Sequence, residues 1–122
     1  MSWTVIVVEP CLSWLHDLRR TDRDTLVLIS QAITVLAEEG PALGRPLVDT
    51  IAGSKLPNLK ELRPGSAGGT EVRLLFIFDP QRRAVFLVGG DKAGKWSQWY
   101  KAAIPQAELA YAEHLRFEEK KK

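Results

Sequence analysis

Several things that would settle the chemistry of this chain by motif are scarce or missing. There is one cysteine, Cys11, so no internal disulfide can form, which agrees with a reducing compartment. Cys11 also falls on the apolar side of an expected helix, where a buried structural thiol fits better than a nucleophile. The two histidines, His16 and His114, stand isolated on separate expected helices with no carboxylate or cysteine at ligand spacing. They read as surface or boundary residues and argue against a metal centre. No Ser/His/Asp signature is present, no segment repeats, and no apolar run approaches the roughly 18–20 residues that a bilayer span needs. The opening MSWTVIVVEP has neither a basic n-region nor a small-residue cleavage site. A cytoplasmic protein with no membrane partner, no metal and no cofactor is expected.

What is there amounts to one domain over residues 1–122. The 122 residues are 45% hydrophobic and 26% charged, enough for one proper core. The net charge of +2 is unevenly spread. Residues 1–53 carry four Lys/Arg against seven Asp/Glu, residues 54–101 carry nine against four, and the remaining tail is balanced. Positive charge gathered in one segment is the footprint of a phosphate-binding face.

Residues 3–8 form a β-branched run that ends at Glu9-Pro10 and reads as a strand. Because both parities are apolar, it is expected inside a sheet covered on more than one side. Cys11, Leu15 and Leu18 follow at helical spacing. Thr21 to Asp24 has capping-box spacing for a second helix, with Leu26, Ile29, Ile33, Leu36 and Ala37 inward, ended by Gly40-Pro41. Residues 47–51 read as a weak strand and 58–63 as a firmer one. PGSAGGT makes a hairpin loop, and 71–78 is a strand with Val72, Leu74, Phe76 and Phe78 on one face and Arg73, Leu75 and Ile77 on the other. Asp79-Pro80-Gln81-Arg82 suits a type I turn, returning the chain through 83–88. Residues 96–103 are expected to be helical, and Pro105 to start a separate helix with Ala107, Ala110, Tyr111 and Leu115 inward. The order β-α-α-β-β-β-α implies an α+β fold, with a small, mostly antiparallel sheet carrying an N-terminal αα-hairpin and a C-terminal helix, the helices on one face.

Flexible backbone, cationic charge and flat aromatic surface coincide in GGDKAGKWSQWYK, residues 89–101. Residues 89–95 match most of a phosphate-binding P-loop, but tryptophan at 96 takes the place of the Ser/Thr that would hold Mg²⁺, and the preceding strand belongs to a hairpin. Cleavage of a phosphodiester with side chains alone is feasible for RNA, which supplies its own 2′-OH nucleophile. It needs a base, cations for the phosphorane and a proton donor for the 5′-oxygen. Lys60, Arg63, Arg73, Lys92, Lys95 and Tyr100 can divide those roles. Arg73 is the most telling, because on an apolar strand its guanidinium must reach water, a ligand or a carboxylate such as Glu61. Lys60 and Arg63 differ in parity, so only a bulge or strand end brings both to Arg73. Trp96, Trp99 and Tyr100 offer stacking surface for bases, with at least one tryptophan expected to be buried. Lys95, Trp96, Arg82 and Lys101 complete an expected RNA-binding surface.

The motifs NLKELRPG and EVRLLFIFDP, then an apolar strand into GGDKAGKW and WY, behind an acidic helical hairpin, resemble the RelE/HigB superfamily of type II toxins, particularly its phage Gp49-like HigB branch. The resemblance covers residues 3 to about 116. It implies a RelE-like fold and a ribosome-dependent endoribonuclease that cuts messenger RNA, silenced by a cognate helix-turn-helix antitoxin in a hetero-oligomer. It places Lys60, Arg63, Arg73, Lys92 and Tyr100 around the scissile phosphate, with Lys60 or Lys92 as base, Arg73 and Arg63 on the phosphorane, and Tyr100 positioning the 2′-OH or transferring a proton. Lys95 remains interchangeable with Lys92. The same fold also serves gyrase-targeting, ParE-like toxins, and a binding module without activity is the third reading.

Overall fold

In a computed structural model of the chain, which describes residues 2–65 and 68–121, five strands make one sheet in the order β1-β5-β4-β3-β2. The elements are β1 (Thr4–Val7), α1 (Cys11–Thr21), α2 (Arg23–Glu39), β2 (Val48–Thr50), β3 (Lys60–Leu62), β4 (Val72–Phe78), β5 (Arg83–Asp91) and α3 (Trp96–Lys120). β1 pairs with β5 in parallel, while every other pairing is antiparallel. The α+β class expected from the element order is therefore found, with β1 at a sheet edge rather than inside it. Ser66 and Ala67, at the tip of the expected hairpin loop, lie outside the described residues.

The period-2 pattern of β4 decides how the layers stack. Leu74 and Phe76, with Ala84 and Phe86 of β5 and Leu62 of β3, pack against Cys11, Ile29, Ala32 and Leu36 of the helical hairpin. The opposite parity, Leu75 and Ile77 with Val85, Leu87 and Val88, packs against Ala103, Ala107 and Ala110 of α3. The C-terminal helix thus covers the face opposite the hairpin, a correction to the expectation of helices on one side. Both parities of the central strands are apolar because both faces are covered.

Two local expectations also change. The cap of α2 is Asp22, whose side chain accepts hydrogen bonds from the Thr25 amide at 3.2 Å and its hydroxyl at 2.6 Å, while Thr21 closes α1. α3 runs unbroken through Pro105. A proline removes one amide donor and crowds one carbonyl, and Pro105 sits on the exposed side of α3, away from the small alanines that lie on the sheet. Leu115, expected inward, is exposed, and His114, expected at the surface or a boundary, is buried in its place. The turn after β4 forms as expected: the Arg82 amide donates to the Asp79 carbonyl at 3.3 Å, and Asp79 Oδ1 accepts from the Gln81 and Arg83 amides.

The two glycines of β5 are landing places for rings. The register between β4 and β5 shifts between Leu75 and Phe76, so Leu75 meets Val88 while Phe76 meets Phe86. Leu87 is the extra residue, and parity beyond it is reversed. Gly89 then faces the hairpin, where a Cβ would overlap the Trp14 ring, and Gly90 faces α3, where a Cβ would fall 2.6 Å from Trp99 Nε1. Gly89→Ala is expected to force Trp14 aside and destabilise the fold by about 1–3 kcal/mol, the usual range for overpacking. Thermal denaturation followed by circular dichroism checks this; unaltered melting would mean that α1 yields freely. Cys11, the first residue of α1, is fully buried in the same layer, and burial pushes its thiol up to about 12.

Candidate active site

Strand parity gathers charge on the α3 face, at the end of the sheet where β5 runs into α3. Glu61 is paired with Leu75 and so shares its face; Arg63, two residues on, follows it. Arg73 is paired with Gly90, and the Lys92 amide donates to the Glu71 carbonyl at 3.0 Å, continuing the ladder. Glu71, Arg73 and Lys92 therefore lie on the side of the sheet that carries Glu61 and Arg63. The first turn of α3 brings Tyr100 over them.

Glu61, only 3% exposed, is the hub. It accepts from Arg63 Nε at 3.0 Å and Nη2 at 2.9 Å, and from the Tyr100 hydroxyl at 2.6 Å. Arg63 Nη2 also donates to Asp49 at 3.0 Å, and Asp49 in turn holds Arg45. Arg73 is anchored by Nη1 on the Val72 carbonyl at 2.8 Å. Its Nε is buried and makes no hydrogen bond among the described residues. Glu61 Oε1 stands 3.8 Å away, near enough for charge attraction and too far for a hydrogen bond. A buried donor left in that state costs about 1–3 kcal/mol. Glu71 Oε2 is likewise buried without a hydrogen-bond partner among the described residues.

Lys92 is 2% exposed, with Nζ 3.4 Å from the centre of the Trp96 ring and 5.3 Å from that of Tyr100. Burial, and then the positive charge of Arg73, lower its pKa against the opposing pull of Glu61 and Glu71. Tyr100 is pushed up to about 12, first by burial and then by its bond to Glu61. Such a phenol stays protonated at neutral pH and acts as a donor, whereas a lysine with a lowered pKa can take up a proton. Taken with Arg45 and Asp49, the cluster sets three guanidiniums against three carboxylates, and Lys92 adds one positive charge whenever it is protonated, as it is once it has taken up a proton.

Of the residues singled out in the sequence, Arg63, Arg73, Lys92 and Tyr100 come together. Lys60 does not: it is paired with Phe76, on the hairpin face, and the regular parity of β3 keeps it there. Arg82 is also excluded. It sits in the turn at the far end of β4, with φ 62° and its guanidinium 4.5 Å over the Trp3 ring, about 20 Å along the strand from Arg73 at some 3.3 Å per residue. Lys95 precedes α3 and is exposed, as is Lys101. Trp96 is 60% exposed, while Trp99 packs on Gly90 and is only half-buried, so neither tryptophan is buried as expected. Glu61 is the member that sequence reasoning left as a mere possible partner. Its signal was its parity with Arg63 in a strand otherwise flanked by Leu59 and Leu62.

A family model described as phage-derived protein, Gp49-like, matches residues 16–112. Two proteins of Mycobacterium tuberculosis are similar to the chain. One, named "Putative toxin HigB2", is 54% identical over 122 residues, which is 99% of this chain and 59% of that protein. The other, named "Putative toxin HigB3", is 46% identical over 104 residues, covering 85% of this chain and 86% of that protein. The chain thus spans little more than half the length of the first relative and most of the second.

Proposed function

Since the chain belongs to the Gp49-like family of HigB-type toxins, we propose that it is the toxin of a toxin-antitoxin module and a metal-independent endoribonuclease that cuts messenger RNA on the ribosome. Its partners are then a cognate antitoxin of helix-turn-helix type, which holds it in an inactive hetero-oligomer, and the ribosome with its message. Acting on the ribosome, it works in the cytoplasm.

The observation that carries this reading is the buried, unbonded Nε of Arg73, set among Arg63, Lys92 and Tyr100. A phosphoryl oxygen would supply the missing acceptor, and a planar guanidinium is suited to it. In the proposed reaction Lys92 takes the proton of the 2′-OH, and the 2′-oxygen bonds to phosphorus. Arg73 and Arg63 meet the extra negative charge of the phosphorane. The bond from phosphorus to the 5′-oxygen then breaks as the Tyr100 hydroxyl turns from Glu61 and gives that oxygen its proton, the phenol being a stronger acid than the departing alcohol; solvent then returns a proton to Tyr100 and takes one from Lys92. The products are a 2′,3′-cyclic phosphate and a 5′-hydroxyl, with Glu61 holding Arg63 throughout and Tyr100 until it gives up its proton.

Inducing the protein without an antitoxin and mapping messenger 5′-ends tests the reading. Growth arrest with new 5′-hydroxyl ends is expected; arrest with intact messages and a DNA-damage response would replace it with the gyrase-targeting alternative. Because Lys92 must be neutral to act as base and its pKa is lowered, single-turnover cleavage on purified ribosomes is expected to rise with pH across the range ribosomes tolerate. Lys92→Met should flatten that rise and slow cleavage by about a hundredfold, the contribution of a positioned base. A pH profile shared by wild type and variant would take Lys92 out of the proton transfer.

A further inference from the structure

Tyr100 faces two ways. Its hydroxyl enters the charged cluster through Glu61, while its ring lines a separate groove of about 300 Å³ between α3 and the segment before β3. Lys55, Lys101, Ile104 and Pro105 also border that groove, and an adjoining hollow of about 210 Å³ shares Tyr100 and Ile104 and ends at Ala52. The wall is built, because Glu108 Oε2 accepts from Ser54 Oγ at 2.9 Å and from the Lys55 amide at 2.7 Å, pinning the loop to the helix.

Resting on the reading of the protein as an RNA-cleaving toxin, we propose that this groove seats the nucleoside next to the scissile phosphate and selects a base bearing an exocyclic amino group. Three features match that occupant. The Tyr100 ring and Ile104 give an apolar surface against which a base can lie. Pro105 has no amide hydrogen, so the Lys101 carbonyl lacks its helical donor four residues on, which leaves an acceptor at the groove. Lys55 and Lys101, both exposed, stand at the mouth where the flanking phosphates of one strand would run. Tyr100 belongs both to the groove and to the phosphate cluster, so a nucleoside in the one would adjoin a phosphate in the other. Acceptors lining a pocket favour adenine, cytosine or guanine over uracil.

The test compares messenger 5′-ends after induction of wild type, Ala52→Trp and Lys101→Glu. Ala52 is exposed, and an indole there would fill the hollow without touching Arg73 or Lys92; Lys101→Glu reverses charge at the mouth. In wild type, the nucleotide on one side of the break is expected to be depleted in uracil. Ala52→Trp should erase that bias and lower total breakage by about tenfold, within the range of one lost base stack, while melting as wild type does. If Ala52→Trp melts early, Lys101→Glu decides by the same two readouts. Unchanged bias and amount in a folded variant would overturn the groove and leave RNA cleavage standing. Absence of any breaks from wild type would instead sink the functional reading, and the groove with it.

Discussion

Arg73→Ala is expected to abolish growth arrest and messenger breakage, with single-turnover cleavage on ribosomes falling by roughly a hundred- to a thousandfold, the cost of removing one preorganised donor to a developing oxyanion. Some stability should be lost with it, by about 1–3 kcal/mol, because Arg73 Nη1 donates to the Val72 carbonyl and the side chain is a counter-ion of the buried Glu61. Lost activity in a variant that still melts cooperatively is therefore the informative combination. Arg73→Lys should recover only part of the rate, since a single ammonium cannot present the planar fork. Wild-type breakage in a folded Arg73→Ala protein would remove this arginine from the mechanism, and with it the observation on which the active-site reading leans most.

Glu61→Gln should act on fold and chemistry together. Glu61 is the shared counter-ion of Arg63 and Arg73 and the acceptor for Tyr100. Breaking a buried pair of this kind costs about 3–5 kcal/mol. The low end applies, because Arg63 keeps Asp49 and is a third exposed, so the melting temperature should drop by about 10 °C. Activity should fall by at least about a hundredfold even where the variant is folded, because Arg63 and Tyr100 lose their fixed positions.

A spectroscopic signature separates that positioning role from general destabilisation. The chain has two tyrosines, Tyr100 and Tyr111, both with raised pKa. Tyrosinate absorbance should show neither ionising at the ordinary pH near 10, and Glu61→Gln should bring one of them down from about 12. The sign for stability follows. Between 10 and about 12 the folded state holds a proton on Tyr100 that the unfolded chain has lost, so this contribution is complete below pH 10 and vanishes as pH rises through about 12. Lys92 works the other way: below its ordinary value of 10.5 the unfolded chain binds more protons, so stability rises with pH across that window. An unmoved tyrosine titration in Glu61→Gln would show that the carboxylate does not hold Tyr100.

Much of the fold was legible because periodicity is a local property. The alternation through 72–78 named both faces of β4, and the spacing of Ile29, Ile33 and Leu36 named the inner side of α2, though Leu26, also expected inward, lies beside the core and Thr25 and Ala32 are buried. What escaped depended on contacts distant in sequence. Nothing near Pro105 says that its exposed position lets α3 continue, and nothing in the alanines at 103, 107 and 110 says which face of the sheet they cover. The extra residue Leu87 reverses parity for Gly89 and Gly90, turning an apparent nucleotide cradle into two seats for tryptophan rings. For the site, residue types were readable and register was not. Parity alone warned that Lys60 and Arg63 part company, whereas the convergence of Arg63 with Arg73, Lys92 and Tyr100 needed the strand alignment across a loop of undetermined span. Glu61 was hidden by its own success, since a carboxylate satisfied by cations looks from sequence like any strand neighbour.

The lone thiol gives the molecule a built-in gauge. Cys11 is sealed between the helical hairpin and the sheet and holds its proton up to about 12, so an alkylating reagent meets a reactive thiolate only when that layer opens. In the open chain the thiol recovers the ordinary acidity of cysteine and reacts freely. The rate of labelling therefore counts openings of the native state, with a single site and no background from other cysteines. Because Cys11 lies in the layer opposite the charged cluster, alkylation in the presence of a bound antitoxin would read how far that partner holds the whole molecule shut, independently of whether it covers the active site.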